Sequence, residues 1–570
     1  MEDPARQPQE AARHRVADHL IRMLEEHGID RVFGIPGGAI SPLFDALMDA
    51  SIEVVVCQHE GTAGYLASGY ARATGRPGVL LVTSGPGVLN AVTPVAAAKL
   101  DEVPLLVLTG DVRRTHEGRG ALQDGGRENL DVISVMAPIT KEAVTLTWPE
   151  RAGARLRTSL ELASQHPRGP VFVRIPLDVA GQVVRTSEVH VAPRPQRTLE
   201  DVTCERIAKA LERARHPAIL VGVGAVRACT PRSVRVLAER LACPVITDIE
   251  SKGLLPEGHA LSLGLHGVGS RGTASAYVAG GIDALLVLGA RLDDATTNGF
   301  EPLVGAGGVV LQLDHDPERL NRSMQTDLTA ACDLAATVQR ITELAQTVPA
   351  HRARQRRRAV AASISAAQPL TLPPLGAGPH HPASVIAALQ AAIGPGATWT
   401  TDIGNHLIFT AQGLELAGPG LHLSQGLGGM GSGLGTAMGL ASARPDAPVV
   451  AICGDGTLRM VGGELATCAQ HRIPLLIAVL DDSQLGMVEH GNLRVFGRSA
   501  WCESPIVDYV GFARSLGVPA RRITTAEDLA RALATEDHRR GPLLLSFPVD
   551  PEIRASNPRE KVFSFPGERS

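Results

Sequence analysis

The amino-acid sequence predicts an α/β protein with three doubly wound domains, each a parallel sheet with helices on both faces. Short apolar runs that end in Gly, Asp or Glu alternate with longer amphipathic stretches along most of the chain, which is the pattern of strand–helix–strand units. The length of 570 residues suits about three domains of roughly 150–200 residues. Each predicted domain is long enough to enclose a core of its own.

The first domain is predicted to cover residues 1–190. Its strands end in short polar or Gly-rich segments, of which His59-Glu60 and Ser84-Gly85-Pro86-Gly87 directly follow apolar runs. The predicted elements are a helix at 16–27 and strands at 31–35, 52–57, 78–83 and 105–109. A Pro-rich stretch at 191–197 predicts a linker to the next domain.

The same alternation predicts a second domain at 199–348 and a third at 382–570. The second domain has predicted strands at 218–223, 244–247, 284–288 and 309–313. The third domain is similar to the first in length and texture. Between them, residues 349–381 are rich in Ala, Pro and Arg and predict a linker. We interpret its basic run at 352–358 as a solvated linker or helix face rather than a nucleic-acid patch.

Composition and charge exclude several classes of protein. The net charge of −4 provides no global basic field of the kind that binds nucleic acid. Eight cysteines stand singly, without a C-x-x-C pair, so we expect neither a metal cluster nor a disulfide framework. The first ten residues lack the apolar segment of a secretory signal, and no charge-free apolar run of about 18 residues predicts a membrane span. We therefore expect a cytoplasmic protein that binds neither nucleic acid nor membrane.

The pair of carboxylates at Asp455 and Asp482 is the most informative motif. Asp455 lies in Gly454-Asp455-Gly456 after the apolar run 449–453, and Asp482 follows the run 475–480. A strand–helix–strand unit returns its second strand parallel to the first, so both carboxylates should meet at one edge of a sheet. Beside a turn too tight for a side chain at the second glycine, such ligands suit a hard cation that carries a phosphorylated cofactor. A lone Gly-Asp-Gly is more often a plain turn, and the second carboxylate at this distance is what favours a metal site.

This spacing matches the magnesium–diphosphate signature of thiamine diphosphate enzymes. From about residue 16 to residue 548 the chain resembles the acetolactate synthase (acetohydroxyacid synthase large subunit) family. The matching stretches are 34–40, 59–60, 69–75, 83–87 with Asn90, 289–294, 427–431, 463–467 and 485–488. The resemblance implies pyrimidine-binding, central and diphosphate-binding domains in that order. It also implies a homo-oligomer, at least a dimer, whose active sites lie between the first domain of one subunit and the third domain of another.

By this resemblance the catalytic residues are Glu60 and Gln123. Glu60 is expected to contact N1′ of the aminopyrimidine and to promote the imino tautomer whose 4′-nitrogen deprotonates C2 of the thiazolium ring. On position alone this carboxylate would be an ordinary loop charge, whereas in a dry interface it could share a proton with a ring nitrogen. The cofactor itself then performs the carbanion chemistry.

The resemblance also implies the metal ligands and the cofactor contacts. The ligands of Mg²⁺ are expected to be Asp455, Asp482 and the main-chain carbonyl of Gln484, with diphosphate oxygens and water completing the set. Met430 is expected beneath the cofactor, where it forces a bent shape, with the carbonyl of Gly428 facing the 4′-amino group. The expected cofactor-binding residues are Gly404, Asn405, His406, Gly428, Met430, Gly454, Gly456, Thr457 and Met487.

The sequence departs from the family pattern mainly on the substrate side. Gly491 stands where the family usually has the Trp that selects the second keto acid, Leu122 replaces a Phe, and Leu177 replaces a Lys. Loss of an aromatic wall and of a cation reshapes the pocket, which leaves the acceptor open. Asp482 stands where Asn is usual, and flavin-free catabolic members of the family resemble this chain in that respect.

Binding of FAD to the central domain is possible and is left open by the sequence. Many members of the family hold FAD there, mostly as a structural cofactor. Arg291, Asp293 and Asp294 match the stretch concerned, whereas Leu292 replaces a Phe. The aspartate at position 482 favours the flavin-free branch.

The leading hypothesis is a carboligase that decarboxylates a 2-oxo acid such as pyruvate and transfers the resulting unit to a second carbonyl compound. The second is a non-ligating 2-oxo acid decarboxylase or an acyl-transferring relative. A catalytically silent subunit is a third, disfavoured by the presence of Glu60, Met430 and both metal carboxylates. An NAD-dependent dehydrogenase explains none of the spacing. The acceptor, the pathway, the choice between dimer and tetramer, and any small regulatory subunit are left open.

Overall fold

The structure, a computed structural model, describes residues 13–185, 198–367 and 371–556. The predicted linker at 191–197 lies outside these residues. Three six-stranded sheets form in the described parts, and every neighbouring pair of strands within them is parallel. Helices flank each sheet, which confirms the predicted fold class. No helix within these residues combines the length and apolar character needed to cross a bilayer.

The first domain contains one of the three sheets and a small antiparallel ribbon. Its strands are β1 (Arg13–Arg15), β2 (Arg31–Gly34), β3 (Glu53–Val56), β4 (Gly78–Val82), β5 (Leu105–Asp111), β6 (Glu142–Thr145), β7 (Pro170–Pro176) and β8 (Val183–Arg185). Its helices are α1 (Val16–Glu26), α2 (Ser41–Leu47), α3 (Glu60–Thr74), α4 (Pro86–Asn90), α5 (Val92–Leu100), α6 (Val132–Met136), α7 (Ala152–Ser164) and α8 (Leu177–Ala180). The sheet has the order β3-β2-β4-β5-β7-β6, and β1 pairs with β8. Alternate residues of β4 join separate cores on the two faces of the sheet, Val79 and Leu81 on one side and Leu80 and Val82 on the other.

The middle domain has its own sheet and its own core. Its strands are β9 (Pro217–Val221), β10 (Val245–Thr247), β11 (Ser262–Leu265), β12 (Ala284–Leu288), β13 (Val309–Asp314) and β14 (Leu328–Ala331), in the order β11-β10-β9-β12-β13-β14. Its helices are α9 (Asp201–Arg213), α10 (Val223–Ala228), α11 (Pro231–Leu241), α12 (Thr273–Ala279), α13 (Leu334–Leu344) and α14 (Ala350–Ala366).

The third domain carries the two predicted metal carboxylates. Its strands are β15 (Thr398–Thr401), β16 (Leu421–His422), β17 (Val449–Gly454), β18 (Leu476–Asp481), β19 (Ala520–Arg522) and β20 (Leu543–Pro548), in the order β16-β15-β17-β18-β20-β19. Its helices are α15 (Pro382–Ile393), α16 (Asn405–Gly413), α17 (Ser432–Ala443), α18 (Asp455–Val461), α19 (Leu465–Gln470), α20 (Gly486–Phe496), α21 (Tyr509–Ser515) and α22 (Ala526–Thr535). A short 3₁₀ helix, Gly462–Glu464, joins α18 to α19.

The two outer sheets share one topology. When strands are numbered within each domain, the first and third sheets both have the order 2-1-3-4-6-5, whereas the middle sheet has the order 3-2-1-4-5-6. Both orders contain a point at which the chain reverses direction across the sheet, and ligands of such folds bind there, outside the carboxyl ends of the strands. In the third domain that point lies between β15 and β17, which precede residues 402–406 and 455–457.

Helix α3 of the first domain packs along α17 of the third domain. A Cβ on Gly69 would lie 2.1 Å from the carbonyl oxygen of Thr436, and a Cβ on Gly439 would lie 2.0 Å from that of Leu66, so both helices need glycine at this crossing. The buried core is continuous across the contact. Because α3 begins at the predicted catalytic carboxylate and α17 directly follows the Gly-rich stretch, the contact fixes these two segments relative to each other.

Residues 350–366 of the segment predicted as a linker at 349–381 form α14, which packs on the middle domain. Arg354, Arg357 and Arg358 of its basic run are exposed, whereas Arg356 is 1% exposed, which corrects the expectation of a solvated run at that residue. Its guanidinium donates to the carbonyls of Leu211 (2.7 Å), Ala214 (2.6 Å) and Leu241 at the ends of α9 and α11. These carbonyls have no partner within their own helices, and a buried arginine satisfies them.

Candidate functional site

The two predicted metal carboxylates lie at the same edge of the third sheet. Strands β17 and β18 pair in parallel up to Gly454 and Leu480, so the residues that follow them emerge side by side. Asp455 does not sit in the predicted turn: it begins α18, and Gly456 lies in the first turn of that helix. A Cβ on Gly456 would lie 3.3 Å from Cε of Met430, so the small residue leaves room for the methionine rather than for a tight turn.

A cavity of about 160 Å³ opens at this edge and collects most of the predicted residues. Of the twelve residues predicted in the third domain, eleven line it: Gly404, Asn405, His406, Met430, Gly454, Asp455, Gly456, Thr457, Asp482, Gln484 and Met487. The twelfth, Gly428, lines an adjoining cavity that shares Met487. The sequence therefore placed these residues together correctly, although their individual roles stay predictions.

The electrostatics of the cavity favour a divalent cation. Asp455 is buried, and its Oδ2 has no hydrogen-bond partner; the nearest cation is Arg459, at 3.4 Å. Burial raises the pKa of Asp455, which Arg459 opposes. Burial and the repulsion of Asp455 raise the pKa of Asp482 to about 7. The buried Asp455, paired with Arg459, and the half-buried Asp482 are a donor set that Mg²⁺ fits, since it takes oxygen ligands and relieves the repulsion between the two carboxylates.

Asp402, which the sequence did not single out, joins three of the cofactor-binding segments. This buried residue follows β15, and its Oδ1 contacts Nε2 of His406 (2.7 Å) and accepts from Oγ1 of Thr457 (2.9 Å). Its Oδ2 accepts from the backbone N–H of Gly431 (2.5 Å), next to Met430. One carboxylate thus sets the relative positions of the segments at 404–406, 430–431 and 455–457. A polar residue directly after a strand was the available signal.

Backbone geometry and side-chain contacts also fix the segment at 404–406. Gly404 has φ +154°, and a Cβ there would lie 2.4 Å from the imidazole of His406, so only glycine fits. The side chain of Asn405 donates to Nδ1 of His490 (3.1 Å), and Nε2 of His490 donates to the carbonyl of Pro551 (3.0 Å). The predicted diphosphate contacts are therefore held by the third domain's own residues.

The predicted catalytic residues of the first domain form a separate group. Glu60, the first residue of α3, is 9% exposed, and Nδ2 of Asn90 donates to its Oε2 at 2.9 Å. Gln123 lies near the end of β4, where Oγ1 of Thr83 donates to its Oε1 at 3.5 Å, and it adopts a left-handed backbone with φ 60°. Neither Glu60 nor Gln123 lines the cavity of the third domain in the same chain.

The departures on the substrate side leave open space. Gly491 lies in α20, and a Cβ at this position would meet no atom within 4 Å. Leu122, which precedes Gln123, is 88% exposed. Leu177 begins α8, and the neighbouring Asp178 pairs with Arg114 at 2.8 Å.

The residues matched to a flavin-binding stretch lie at a domain junction. Arg291 forms ion pairs with Asp101 of the first domain (3.1 Å) and with Glu250 (3.5 Å). These carboxylates hold the pKa of Arg291 well above its usual range. Asp293 accepts from the N–H and the hydroxyl of Thr296. The guanidinium is thus engaged by protein carboxylates, and FAD binding stays a prediction.

Comparison with protein-family models finds three matches in the order that the fold shows. They are the N-terminal TPP binding domain of thiamine pyrophosphate enzymes at residues 14–130, the central domain at 204–341 and the C-terminal TPP binding domain at 402–547. Curated relatives include an acetolactate synthase large subunit of Parasynechococcus marenigrum, 34% identical over 533 residues that cover 90% of this chain and 84% of that protein. The acetolactate synthase isozyme 1 large subunit of Escherichia coli is 30% identical over 543 residues, or 94% of each chain.

The chain belongs to the acetolactate synthase family of thiamine pyrophosphate enzymes. Members of this family depend on thiamine diphosphate, so the cavity at the edge of the third sheet lies in the domain that the family uses to bind that cofactor. An acetolactate synthase of Mycobacterium bovis, 33% identical over 538 residues, covers the chain to the same extent, 90%, as the cyanobacterial relative. The similarity therefore extends over all three domains rather than over the cofactor motifs alone.

Proposed function

We propose that the protein is a thiamine diphosphate- and Mg²⁺-dependent carboligase that decarboxylates pyruvate or a close 2-oxo acid and joins the remaining unit to a second carbonyl compound. The observation that carries the proposal is the cavity in which Asp455, Asp482 and Gln484 meet the segments at 404–406 and 454–457. The relatives are named acetolactate synthases, which supports a 2-oxo acid as donor.

The proposed roles follow from where each group lies. Thiamine diphosphate, when bound, supplies the nucleophilic carbon and the electron sink for decarboxylation. Mg²⁺ is held by Asp455, Asp482 and the carbonyl of Gln484. The diphosphate is contacted by His406 and Thr457, which are both hydrogen-bonded to Asp402. In this arrangement the protein positions the cofactor with groups that are already fixed before it binds.

Glu60 holds and releases a proton at N1′ of the cofactor in this proposal. The bond from Asn90 occupies one carboxylate oxygen and fixes the orientation of the group. That leaves Oε1 to face the ring nitrogen.

We infer a homo-oligomer in which Glu60 and Gln123 of one chain complete the cavity of another. Within one chain neither residue lines the cavity, so a second copy would bring the two halves of the site together. Large apolar side chains near both halves support a covered surface, since Leu122 is 88%, Trp501 96% and Ile506 90% exposed in the single chain. A cytoplasmic location also belongs to the proposal, supported by eight buried cysteines that carry no disulfide.

The decisive experiment is incubation of the purified protein with thiamine diphosphate, Mg²⁺ and pyruvate, alone and with candidate aldehydes or 2-oxo acids. Carbon dioxide release with a new carbon–carbon bond, identified by mass spectrometry of the products, is the expected result. Cofactor binding by calorimetry without release from any 2-oxo acid would contradict the proposal. The visible absorption spectrum of the same sample decides whether FAD is bound.

The open space at Gly491 favours a second candidate, a decarboxylase that does not ligate. The family's tryptophan at this position selects the acceptor, and without that side chain an acceptor is less firmly held. Carbon dioxide release without a ligated product from any tested acceptor would identify this function. Gly491→Trp should then increase the ratio of ligated product to carbon dioxide.

A further inference from the structure

Glu464 is a buried carboxylate in the third domain whose motif the proposed function leaves without a role. It ends the 3₁₀ helix Gly462–Glu464 and is 1% exposed. It lies within the stretch at 463–467 that matches the acetolactate synthase family, nine positions after Asp455. Two of its three hydrogen-bond partners, however, are in the first domain.

The two oxygens of Glu464 bind the backbone that leads into α3. Oε1 accepts from the N–H groups of Gln58 (3.1 Å) and His59 (2.9 Å), and Oε2 accepts from the hydroxyl of Thr467 (2.8 Å). Burial raises the pKa of Glu464, which these donors oppose. The carboxylate therefore connects segments about 400 residues apart through uncharged donors.

These bonds complete the anchoring of a three-residue connection. Strand β3 ends at Val56 and α3 begins at Glu60, so residues 57–59 connect the strand to the start of the helix at Glu60. The N–H of Cys57 donates to the carbonyl of Gly34 (3.1 Å), and Glu464 takes the other two N–H groups. Every backbone donor between the strand and the helix is thereby fixed to a buried partner.

Stability alone does not explain a carboxylate at this position. Transfer of a carboxylate into a protein interior is costly, and here it is met by N–H and O–H donors instead of a close ion pair. Gln58 and His59 are themselves exposed residues, and it is their N–H groups that face the buried carboxylate. What the carboxylate adds is a fixed geometry directly before the catalytic residue.

We propose that Glu464 is a positioning residue that sets the location of Glu60 by holding the backbone of Gln58 and His59. The proposal rests on the proposed function, in which Glu60 exchanges a proton with the cofactor. We call the sheet edge that carries Asp455 and Asp482 the metal edge. Because α18 and the 3₁₀ helix lead directly from Asp455 to Glu464, the contact of Glu464 with residues 58 and 59 joins the metal edge of one chain to Glu60 of the same chain. In the proposed oligomer the metal edge and Glu60 of one chain serve different active sites, which Glu464 thus connects.

Three substitutions in the full-length protein separate positioning from folding. Glu464→Leu removes both acceptor oxygens and substitutes an apolar side chain of similar size. Apolar replacement of a buried charge is often tolerated. Glu464→Gln keeps a carbonyl for the two N–H groups and turns its amide toward the hydroxyl of Thr467, which can accept. Glu464→Asp keeps the charge but is one methylene too short.

The readout is exchange of the C2 proton of bound thiamine diphosphate for deuterium, measured by acid quench and NMR with Mg²⁺ and no substrate. A displacement of Glu60 by about 1 Å should slow this exchange and kcat by about 100-fold in Glu464→Leu. The Kd for the cofactor, measured by calorimetry, and KM should change little. Glu464→Gln should recover most of the exchange rate, and Glu464→Asp should fall between the two.

The outcomes distinguish this proposal from the proposed function. If a folded Glu464→Leu variant exchanged the C2 proton at the wild-type rate, the positioning role would be overturned. Equal loss of the exchange rate in the Gln and Leu variants would overturn it as well. If the Leu variant does not fold, wild-type exchange in Glu464→Asp overturns it instead. Failure of the wild-type protein to bind the cofactor or to exchange its proton would overturn the proposed function, and the positioning role with it.

Discussion

The sheets of the first and third domains have the same strand order, but the acidic side chains at the ends of corresponding strands have different partners. The fourth strand of the third domain, β18, is followed by Asp482, which has a raised pKa and lines the cavity. The fourth strand of the first domain, β5, ends in Asp111, which is fully buried and paired with the guanidinium of Arg174. A fixed cation makes Asp111 a structural acid, whereas Asp482 and its neighbour Asp455 are the proposed ligands of a metal.

The third strands of the two sheets differ in the same sense. In the third domain β17 leads directly into Asp455, but in the first domain β4 is followed by Thr83 and Ser84, which carry no charge. The carboxylate of the first domain stands elsewhere, at Glu60 after the second strand. In the proposed function the same sheet topology provides the metal ligands in the third domain and the proton-transfer residue in the first, and the difference lies in a few residues after the strands.

The largest effect is expected for Glu60→Gln. An amide cannot exchange a proton with the cofactor, so kcat should fall by about 10²–10⁴-fold. Cofactor binding should persist, because the metal edge belongs to the third domain. Steady-state kinetics and calorimetry on the same preparation measure both quantities, and an active Glu60→Gln enzyme would mean that the first domain has no proton-transfer role.

Asp455→Asn and Asp111→Asn compare the two edges directly. Loss of groups that support metal ligands costs about 10–100-fold in affinity, so loss of a ligand at Asp455 should weaken Mg²⁺-dependent cofactor binding by at least about 100-fold. Asp111→Asn removes one partner of a buried ion pair and should cost about 3–5 kcal/mol of stability, with the Mg²⁺ requirement unchanged. Calorimetry and thermal unfolding separate the two. Equal losses of metal affinity would erase the distinction between a structural and a metal-binding acid.

The pH dependence of stability should reveal Asp482. Burial and Asp455 raise its pKa to about 7 in the metal-free protein, above the value of about 4 in an unfolded chain. The folded state then holds the extra proton between these values, so the free energy of unfolding falls as the pH rises through this window. Thermal unfolding without metal, from about pH 5 to pH 8, should show this slope. Asp482→Asn should flatten it and Mg²⁺ should reverse it, while an unchanged slope in the variant would assign the proton to another group.

The metal edge could be predicted from the sequence because parallel strands bring consecutive strand ends together. Asp455 and Asp482 each follow an apolar run, and no knowledge of distant contacts is needed to place them at one edge. The same reasoning gave the wrong local structure at Gly456, since Gly-Asp-Gly is typical of turns and here it opens a helix. Periodicity and turn statistics describe a few residues at a time.

Residues whose partners are far along the chain could not be predicted. Asp402 looks like any polar residue after a strand until the fold brings Thr457 and Gly431 to it, beside the nearby His406. Arg356 belongs to a basic run that is typical of a solvated helix, and only the approach of two helix ends buries it. The missed Asp402 and the burial of Arg356 have one cause, since the donors and acceptors that these side chains satisfy are brought to them by tertiary packing.

The smallest expected effect concerns the residues that orient the two edges, Asn90 in the first domain and Asn405 in the third. Asn90→Ala removes a hydrogen bond to Glu60, and loss of about 1.4 kcal/mol at that bond corresponds to about a tenfold lower kcat. Asn405→Ala breaks the contact with His490 and should raise the Kd for the cofactor several-fold instead. Kinetics and calorimetry on both variants test whether the first domain affects mainly kcat and the third domain mainly cofactor binding. If each variant changed kcat and Kd alike, these two roles would not be separated between the domains.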